Sequence, residues 1–147
     1  MENNNYFIDT SALFKRYVAE NGTEKLDDLF NNGGAYYISD ITIIEFISNI
    51  KRKNEISKEL DNYSSSKIKS AFFNDIAQGI LKTYSVTPET IIRAIEILDS
   101  KYLTPLDSIQ VATTLQIEHE KGSIIFVVSD KKLCSFVQQY GLKCLFI

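Results

Sequence analysis

The chain has 147 residues, a net charge of −3 at pH 7 and 44% hydrophobic residues, a balance typical of a globular protein rather than a disordered or fibrous one. This length suits one domain, and no linker rich in Pro, Gly or Ser divides it, so we expect a single domain over residues 1–147. The longest apolar runs, such as 124–128, are too short to span a bilayer, and the stretch 1–5 lacks the basic start and apolar core of a signal peptide. These features predict a cytoplasmic protein that does not enter the membrane.

Hydrophobic spacing predicts strands that alternate with helices. In chain order the elements are strand 6–8, helix 13–18, helix 26–30, strand 35–38, a helix from 41 that ends in the polar run 51–54, helix 56–63, helix 68–76, strand 80–86, helix 88–98, a helix from 105 towards Gly122, strand 124–128, a helix opened by Asp130, and strand 143–147. A serine break at 64–66 is predicted to separate two of the helices. Because the strands are unbroken apolar runs, we expect an α/β fold with a parallel sheet covered on both faces.

Cysteine, histidine and glycine usage excludes several common kinds of site. We interpret the two cysteines, Cys134 and Cys144, as small buried hydrophobic residues rather than a disulfide, and a zinc site would need more sulfur or histidine. The single histidine, His119, falls at a predicted helix end, where the helix dipole favours an exposed histidine. This placement disfavours a Ser-His-Asp triad and a metal-free ribonuclease that depends on histidine. The six glycines form neither a phosphate loop nor a dinucleotide fingerprint.

Four acidic residues are predicted to meet at one edge of the sheet. Asp9 and Asp130 directly follow predicted strands, and the carboxyl ends of parallel strands lie together at the edge where ligands bind. Glu45 and Asp107 each lie in the first turns of a helix entered from that edge, among apolar neighbours. Crowded carboxylates resist ionisation unless cations neutralise them, and hard oxygen ligands select magnesium or manganese. Two such ions can activate a water and stabilise an in-line phosphoryl displacement, so the pattern predicts phosphodiester hydrolysis.

Each acid also has a purely structural interpretation. Asp130 could cap the last helix, and Asp107 could complete a capping box with Thr104. Asp9 could begin a turn, and Glu45 could be an exposed helix residue. Both interpretations stay open for each residue. The placement of all four acids at one edge of the sheet favours the functional interpretation.

The net negative charge does not suit a nucleic-acid binder, unless cations held by the four acids make the cleft attractive to phosphate. Basic side chains near the predicted site are candidate phosphate contacts, although a solvated helix face explains most of them equally well. These candidates are Lys15, Arg16, Lys51, Arg52, Lys53, Lys131 and Lys132.

Four stretches resemble the PIN domain in order and spacing. They are 7–13, 41–45, 102–112 and 126–133, of which 102–112 is the most specific. The resemblance implies a three-layer α/β/α fold with a central, mostly parallel five-stranded sheet. It also implies an acidic pocket of catalytic and metal-binding residues that holds one or two magnesium or manganese ions. The implied site consists of Asp9, Glu45, Asp107 and Asp130, with Thr10, Ser11 and Ser129 in support. Many members carry a threonine shortly before the fourth acid, where this chain has Val128 and Ser129.

Within the PIN family the chain is most similar to the VapC toxins. That similarity implies a metal-dependent endoribonuclease that acts on RNA, pairs with an antitoxin protein in a type II toxin-antitoxin system and forms a homodimer. Three alternatives stay open: a housekeeping PIN nuclease without an antitoxin, a magnesium-dependent phosphohydrolase or phosphoacceptor that uses Asp9, and a catalytically silent binding module. The usual phosphatase Asp-x-Asp start is absent, because Thr10 and Ser11 follow Asp9.

Overall fold

The computed structural model describes residues 3–147, so Met1 and Glu2 of the N-terminal stretch considered above lie outside the described residues. In chain order the elements are β1 Asn5–Ile8, α1 Thr10–Leu13, a 3-10 turn Phe14–Arg16, α2 Thr23–Asn31, β2 Ala35–Ser39, α3 Asp40–Glu55, α4 Asn62–Ala77, β3 Leu81–Tyr84, α5 Pro88–Ser100, α6 Pro105–Lys121, β4 Ile124–Val128, α7 Lys131–Gln139 and β5 Lys143–Phe146. No helix among the described residues is both long and apolar enough to cross a membrane.

The five strands form one sheet in the order β3-β2-β1-β4-β5, and every neighbouring pair is parallel. Both faces of the sheet are covered. Along β1, Tyr6 and Ile8 enter a hydrophobic cluster with residues of α2, α3 and α4, whereas Phe7 enters a second cluster with residues of α5, α6 and α7. The predicted α/β/α fold with a five-stranded parallel sheet is confirmed. It brings the carboxyl ends of β1 and β4 side by side at the centre of one edge.

The helix predicted over 56–63 and the serine break predicted at 64–66 are both wrong. Helix α3 ends at Glu55, and α4 begins at Asn62 and continues through the three serines. The carboxylate of Asp61 caps α4 by accepting a hydrogen bond of 2.7 Å from the backbone N–H of Ser64. Serine is a weak helix former, but burial of Ile68 and Phe72 against α3 and the sheet overrides that preference.

The interpretation of the cysteines as unpaired hydrophobic residues is also wrong. Cys134 of α7 and Cys144 of β5 form a disulfide whose Cα atoms are 5.7 Å apart. The pairing depends on the reversal of the chain at Gly141, which adopts a positive φ of 102° and lets β5 return beside β4 under α7. Sequence spacing alone does not show that the two side chains face each other.

Candidate active site

Asp9 is buried directly after β1. Its backbone N–H donates to Val127 O at 2.9 Å, which ties it to the end of β4, and its carboxylate caps α1. Oδ2 accepts hydrogen bonds from the backbone N–H of Ser11 at 3.2 Å and from Ser11 Oγ at 2.6 Å. Burial raises the pKa of Asp9 to about 6, although the Ser11 hydrogen bonds oppose the rise. The residue is 7% exposed, so the carboxyl is held inside the edge rather than in solvent.

Glu45 lies in the second turn of α3 and is half-buried. Its pKa is raised to about 7, mostly by burial and in smaller part by the charges of Asp9 and Asp107. Its Oε1 atom and Oγ1 of Thr10 are both buried and make no hydrogen bond of full geometry among residues 3–147, although the Thr10 hydroxyl is close enough to lower the pKa of Glu45. A buried oxygen without a well-formed hydrogen bond is costly, so Glu45 Oε1 is suited to a ligand that supplies a stronger interaction.

Asp107 occupies the first turn of α6. Its backbone N–H donates to Thr104 Oγ1 at 3.2 Å, so Thr104 caps the helix, but the reciprocal half of a capping box is absent. Burial raises the pKa of Asp107, the hydrogen bond from Thr104 opposes this, and the charge of Asp130 adds to the rise. The Asp107 carboxylate is thus close both to the Thr104 hydroxyl at the helix terminus and to Asp130.

Asp130 is the most exposed of the four acids and caps α7. Its Oδ1 accepts a hydrogen bond of 3.0 Å from the backbone N–H of Leu133. The preceding residue joins the two strand ends, since the backbone N–H of Ser129 donates to Ser11 Oγ at 3.1 Å and Ser11 Oγ donates to Asp9. The capping interpretation of Asp130 thus describes a real contact, and one that leaves its second carboxylate oxygen available.

The four acids influence one another electrostatically. The charge of Asp107 acts on Asp9 and on Glu45, and the charge of Asp130 acts on Asp107. Among residues 3–147, however, no three acidic side chains form a ready-made metal cage. The donors are all hard oxygens, three carboxyls have raised pKa values, and Glu45 Oε1 lacks a well-formed hydrogen bond. The chemistry of this donor set fits a magnesium or manganese ion.

Of the candidate phosphate contacts, Lys51 and Lys53 near the end of α3 pair with Glu55 at 2.7 Å and Glu59 at 2.9 Å, respectively. The candidates Lys15, Arg16, Lys131 and Lys132 divide into two groups. Lys15 is 9% exposed, and its ammonium contacts Glu20 at 3.3 Å and Asn21 O at 2.7 Å. The guanidinium of Arg16 contacts Asp75 at 3.0 Å and lies 4.1 Å from the centre of the Phe30 ring. Both side chains have internal partners, so the placement does not support the expectation that they contact phosphate.

Lys131 and Lys132, in contrast, are exposed in the first turn of α7 beside Asp130. The helix-dipole interpretation of His119 agrees with its exposed position in the last turn of α6.

Sequence reasoning missed a fully buried polar network beside the acids. Ser39, Thr42 and Gln110 are 0% exposed and hydrogen-bonded to one another. The signal available in the sequence was Ser39 three residues before Thr42 at the start of a helix, which matches a capping box. Nothing in the sequence shows that a glutamine of α6 meets that box.

The match to a family model settles the class. A model described as the PIN domain matches residues 6–136, which include all four acids, so the chain belongs to the PIN domain family. Membership in this nuclease family supports nuclease activity. The comparison with curated protein sequences gave no match.

Several solved structures share the fold. PAE2754 from Pyrobaculum aerophilum is 16% identical, with a TM-score of 0.65 and coverage of 96% of this chain and 83% of that one. VapC20 from Mycobacterium tuberculosis, whose structure is titled a Sarcin-Ricin loop cleaving toxin, is 14% identical, with a TM-score of 0.66 and coverage of 93% and 95%. DNA-bound VapBC from Salmonella typhimurium is 14% identical, with a TM-score of 0.61 and coverage of 97% and 98%. At these identities the likeness shows a common fold.

Proposed function

We propose that this protein is a metal-dependent endoribonuclease that hydrolyses RNA phosphodiester bonds, with Asp9, Glu45, Asp107 and Asp130 as its acidic site. The observation that supports the proposal most is the convergence of two carboxyls with pKa values raised to about 6 and about 7, at the strand edge where parallel sheets bind ligands. Purely structural acids are usually solvated or paired with cations, whereas Asp9 and Glu45 are near other acids.

The roles follow from the placement of each residue. Asp9, Glu45 and Asp107 would hold the metal, and Ser11 orients the Asp9 carboxylate through its hydroxyl. A bound magnesium or manganese ion would supply an activated water and stabilise charge on the phosphate oxygens. Asp130 lies at the exposed rim of the site, and the neighbouring Lys131 and Lys132 would contact flanking phosphates.

We also propose that the chain is the toxin of a type II toxin-antitoxin pair. Among the solved structures of similar fold, VapBC of Salmonella typhimurium is a complex bound to DNA, as are FitAB and VapBC2 of Rickettsia felis. An apolar groove between the 3-10 turn and α4 is lined by Tyr17, Val18, Leu60, Ile68 and Ala71. This groove would receive an apolar segment of the antitoxin.

The exposed side of α5 supports a homodimer. Ile91, Ile95 and Leu98, together with Tyr102 just beyond the helix, are exposed at spacings of four, three and four residues. Such a seam matches the side of a helix that packs against another helix. A second copy presents the same seam, so a twofold contact would be self-complementary.

RNA cleavage by the purified protein tests the activity. We expect the wild type, free of any antitoxin, to cleave RNA with magnesium or manganese and to lose this activity in chelator. Glu45→Gln should remove the activity, while Glu96→Gln, a change of the same kind at an exposed position of α5 outside the seam, should not. Cleavage that persists in chelator or in Glu45→Gln would contradict the proposed mechanism.

Co-expression with the protein encoded immediately upstream tests the toxin assignment. We expect a stable complex, and Ala71→Arg should weaken it because Ala71 is exposed in the apolar groove. Ser70→Arg, on the neighbouring exposed position of α4 that does not line the groove, is the matched control. An active nuclease without toxicity and without this partner would be a housekeeping enzyme instead.

A further inference from the structure

A closed set of hydrogen bonds joins α6 to the start of α3. Ser39 and Thr42 form a capping box, in which the Thr42 N–H donates to Ser39 Oγ at 3.2 Å and the Ser39 N–H donates to Thr42 Oγ1 at 3.1 Å. Gln110 of α6 inserts between them, since its Oε1 accepts from Ser39 Oγ and its Nε2 donates to Thr42 Oγ1 at 2.8 Å. All three residues are 0% exposed, so these bonds have no competition from water.

This network stands one helical turn from two of the acids. Glu45 follows Thr42 by three residues on α3, and Asp107 precedes Gln110 by three residues on α6. Residues three apart lie on the same side of a helix, so the network anchors the turn next to each acid. A change in the separation of α3 and α6 at this level would change the separation of the two carboxylates.

We propose that Gln110 is a positioning residue that sets the spacing of Glu45 and Asp107, and so the geometry in which they hold a divalent metal ion. The inference rests on the proposed metal-dependent function. Gln110 does not touch the metal or the RNA, and it acts through the capping box of α3. Residues behind metal ligands typically change metal affinity by about 10-fold to 100-fold when they are removed.

The same helix provides a matched control. Gln116 of α6 is 8% exposed and accepts a hydrogen bond of 2.5 Å from Thr90 Oγ1. Thr90 is the third residue of α5 and forms a capping box with Thr87. Gln116 therefore resembles Gln110, because each is a buried glutamine that is hydrogen-bonded to the capping box of a neighbouring helix. Helix α5 carries none of the four acids, so loss of the Gln116 contact removes a buried polar contact of the same kind, one hydrogen bond where Gln110 makes two, without moving a carboxylate.

The test compares Gln110→Met with Gln116→Met, since methionine keeps the length of the side chain and loses both polar groups. Thermal melts should show that both variants fold and lose stability, with the larger loss in Gln110→Met because it removes two buried hydrogen bonds rather than one. Calorimetric titration with Mn²⁺ should show binding weakened about 10-fold or more in Gln110→Met, with wild-type affinity in Gln116→Met. The metal concentration for half-maximal cleavage should rise in parallel, while the KM for RNA at saturating metal stays the same.

A second matched pair covers the case in which Gln110→Met does not fold. Thr42→Val removes the acceptor of Gln110 Nε2, and Thr90→Val is its counterpart on α5. Weaker Mn²⁺ binding by Thr42→Val alone would support the inference. Equal Mn²⁺ affinity in the wild type and the network variants, or no Mn²⁺ binding by the wild type, would overturn it. Mn²⁺ binding without RNA cleavage would contradict the proposed function. The comparison of Mn²⁺ affinities would still test the role of Gln110 in that case.

Discussion

At the scale of single residues, the main feature of the site is that carboxyls are kept out of water next to other carboxyls. Burial is the largest cause of the raised pKa of Asp9, Glu45 and Asp107, and repulsion from neighbouring acids, which is that of Asp130 for Asp107, adds to it. The folded protein therefore pays a free-energy cost for ionising them, which a bound cation would offset.

Asp107→Asn separates the functional and capping interpretations. Asparagine keeps the backbone N–H that donates to Thr104 Oγ1 but loses the negative charge at the helix N-terminus, which the capping interpretation predicts to be stabilising. In chelator at low salt we expect the variant to be more stable than the wild type, by on the order of 0.5 kcal/mol, because one of several like charges is gone. Magnesium should narrow or reverse this difference, because the wild type binds the metal more tightly. Denaturant melts measure both effects, and a variant that is less stable in chelator, with an unchanged magnesium response, would return Asp107 to a capping role.

The pH dependence of stability follows from Asp9 and Glu45. Their pKa values rise from 3.8 to about 6 and from 4.5 to about 7, so the folded state holds more protons than the unfolded state across that range. The contribution of these groups to stability is present below about pH 4 and is lost as the pH rises through about 7. Melts in chelator should show that Glu45→Gln reduces this loss and Glu96→Gln does not. If the wild type loses stability with rising pH and Glu45→Gln loses the same amount, Glu45 does not contribute to the pH dependence.

At the scale of elements, the ends of β1 and β4 are joined by a short chain of hydrogen bonds from Ser129 N–H to Ser11 Oγ and on to Asp9. Two segments that are distant in sequence thus fix the first acid of the site.

The same elements show how much of the site can be predicted from the sequence. The strands, and the acids that follow them, were predictable because apolar runs and cap residues are local signals.

Three features depend on contacts that no local pattern records. Helix α4 continues through weak helix formers because its apolar side is buried, and the cysteines pair because α7 lies over β5. The contact of Gln110 with the α3 capping box joins residues 71 positions apart in sequence. Among the basic residues, Lys15 and Arg16 could not be separated from Lys131 and Lys132, because exposure is decided by tertiary packing.

Ser11→Ala tests the link between the strand ends. The hydroxyl of Ser11 lowers the pKa of Asp9, so its loss should raise that pKa further, while the hydrogen bond from the backbone N–H of residue 11 remains. Asp9 would then ionise only at higher pH, and the rising limb of the pH-rate profile should move to more alkaline values. Ser135→Ala, which changes an exposed serine of α7, is the control. A profile identical to that of the wild type would remove Ser11 from the site.

At the scale of the whole molecule, the seam on α5 predicts a dimer. Ile95 is 55% exposed at the middle of this seam, and Ile95→Asp places a charge there without changing the core. We expect light scattering to show a dimeric wild type and a monomeric, folded variant. Ile56→Asp, at an exposed isoleucine that is 76% accessible in the loop before α4, should leave the dimer intact. A dimer that survives Ile95→Asp, or a monomeric wild type, would contradict this interface.

The chemistry of the RNA ends tests the central claim most directly, because it separates hydrolysis by a metal-activated water from attack by the RNA's own 2′-hydroxyl. Mass spectrometry of the first products formed in ¹⁸O-labelled water, with magnesium and with chelator, measures it. We predict linear phosphate monoester ends that carry one oxygen from the labelled water, and no cleavage in chelator. Unlabelled 2′,3′-cyclic phosphate as the first product, or the same cleavage in chelator, would contradict the four-acid metal mechanism.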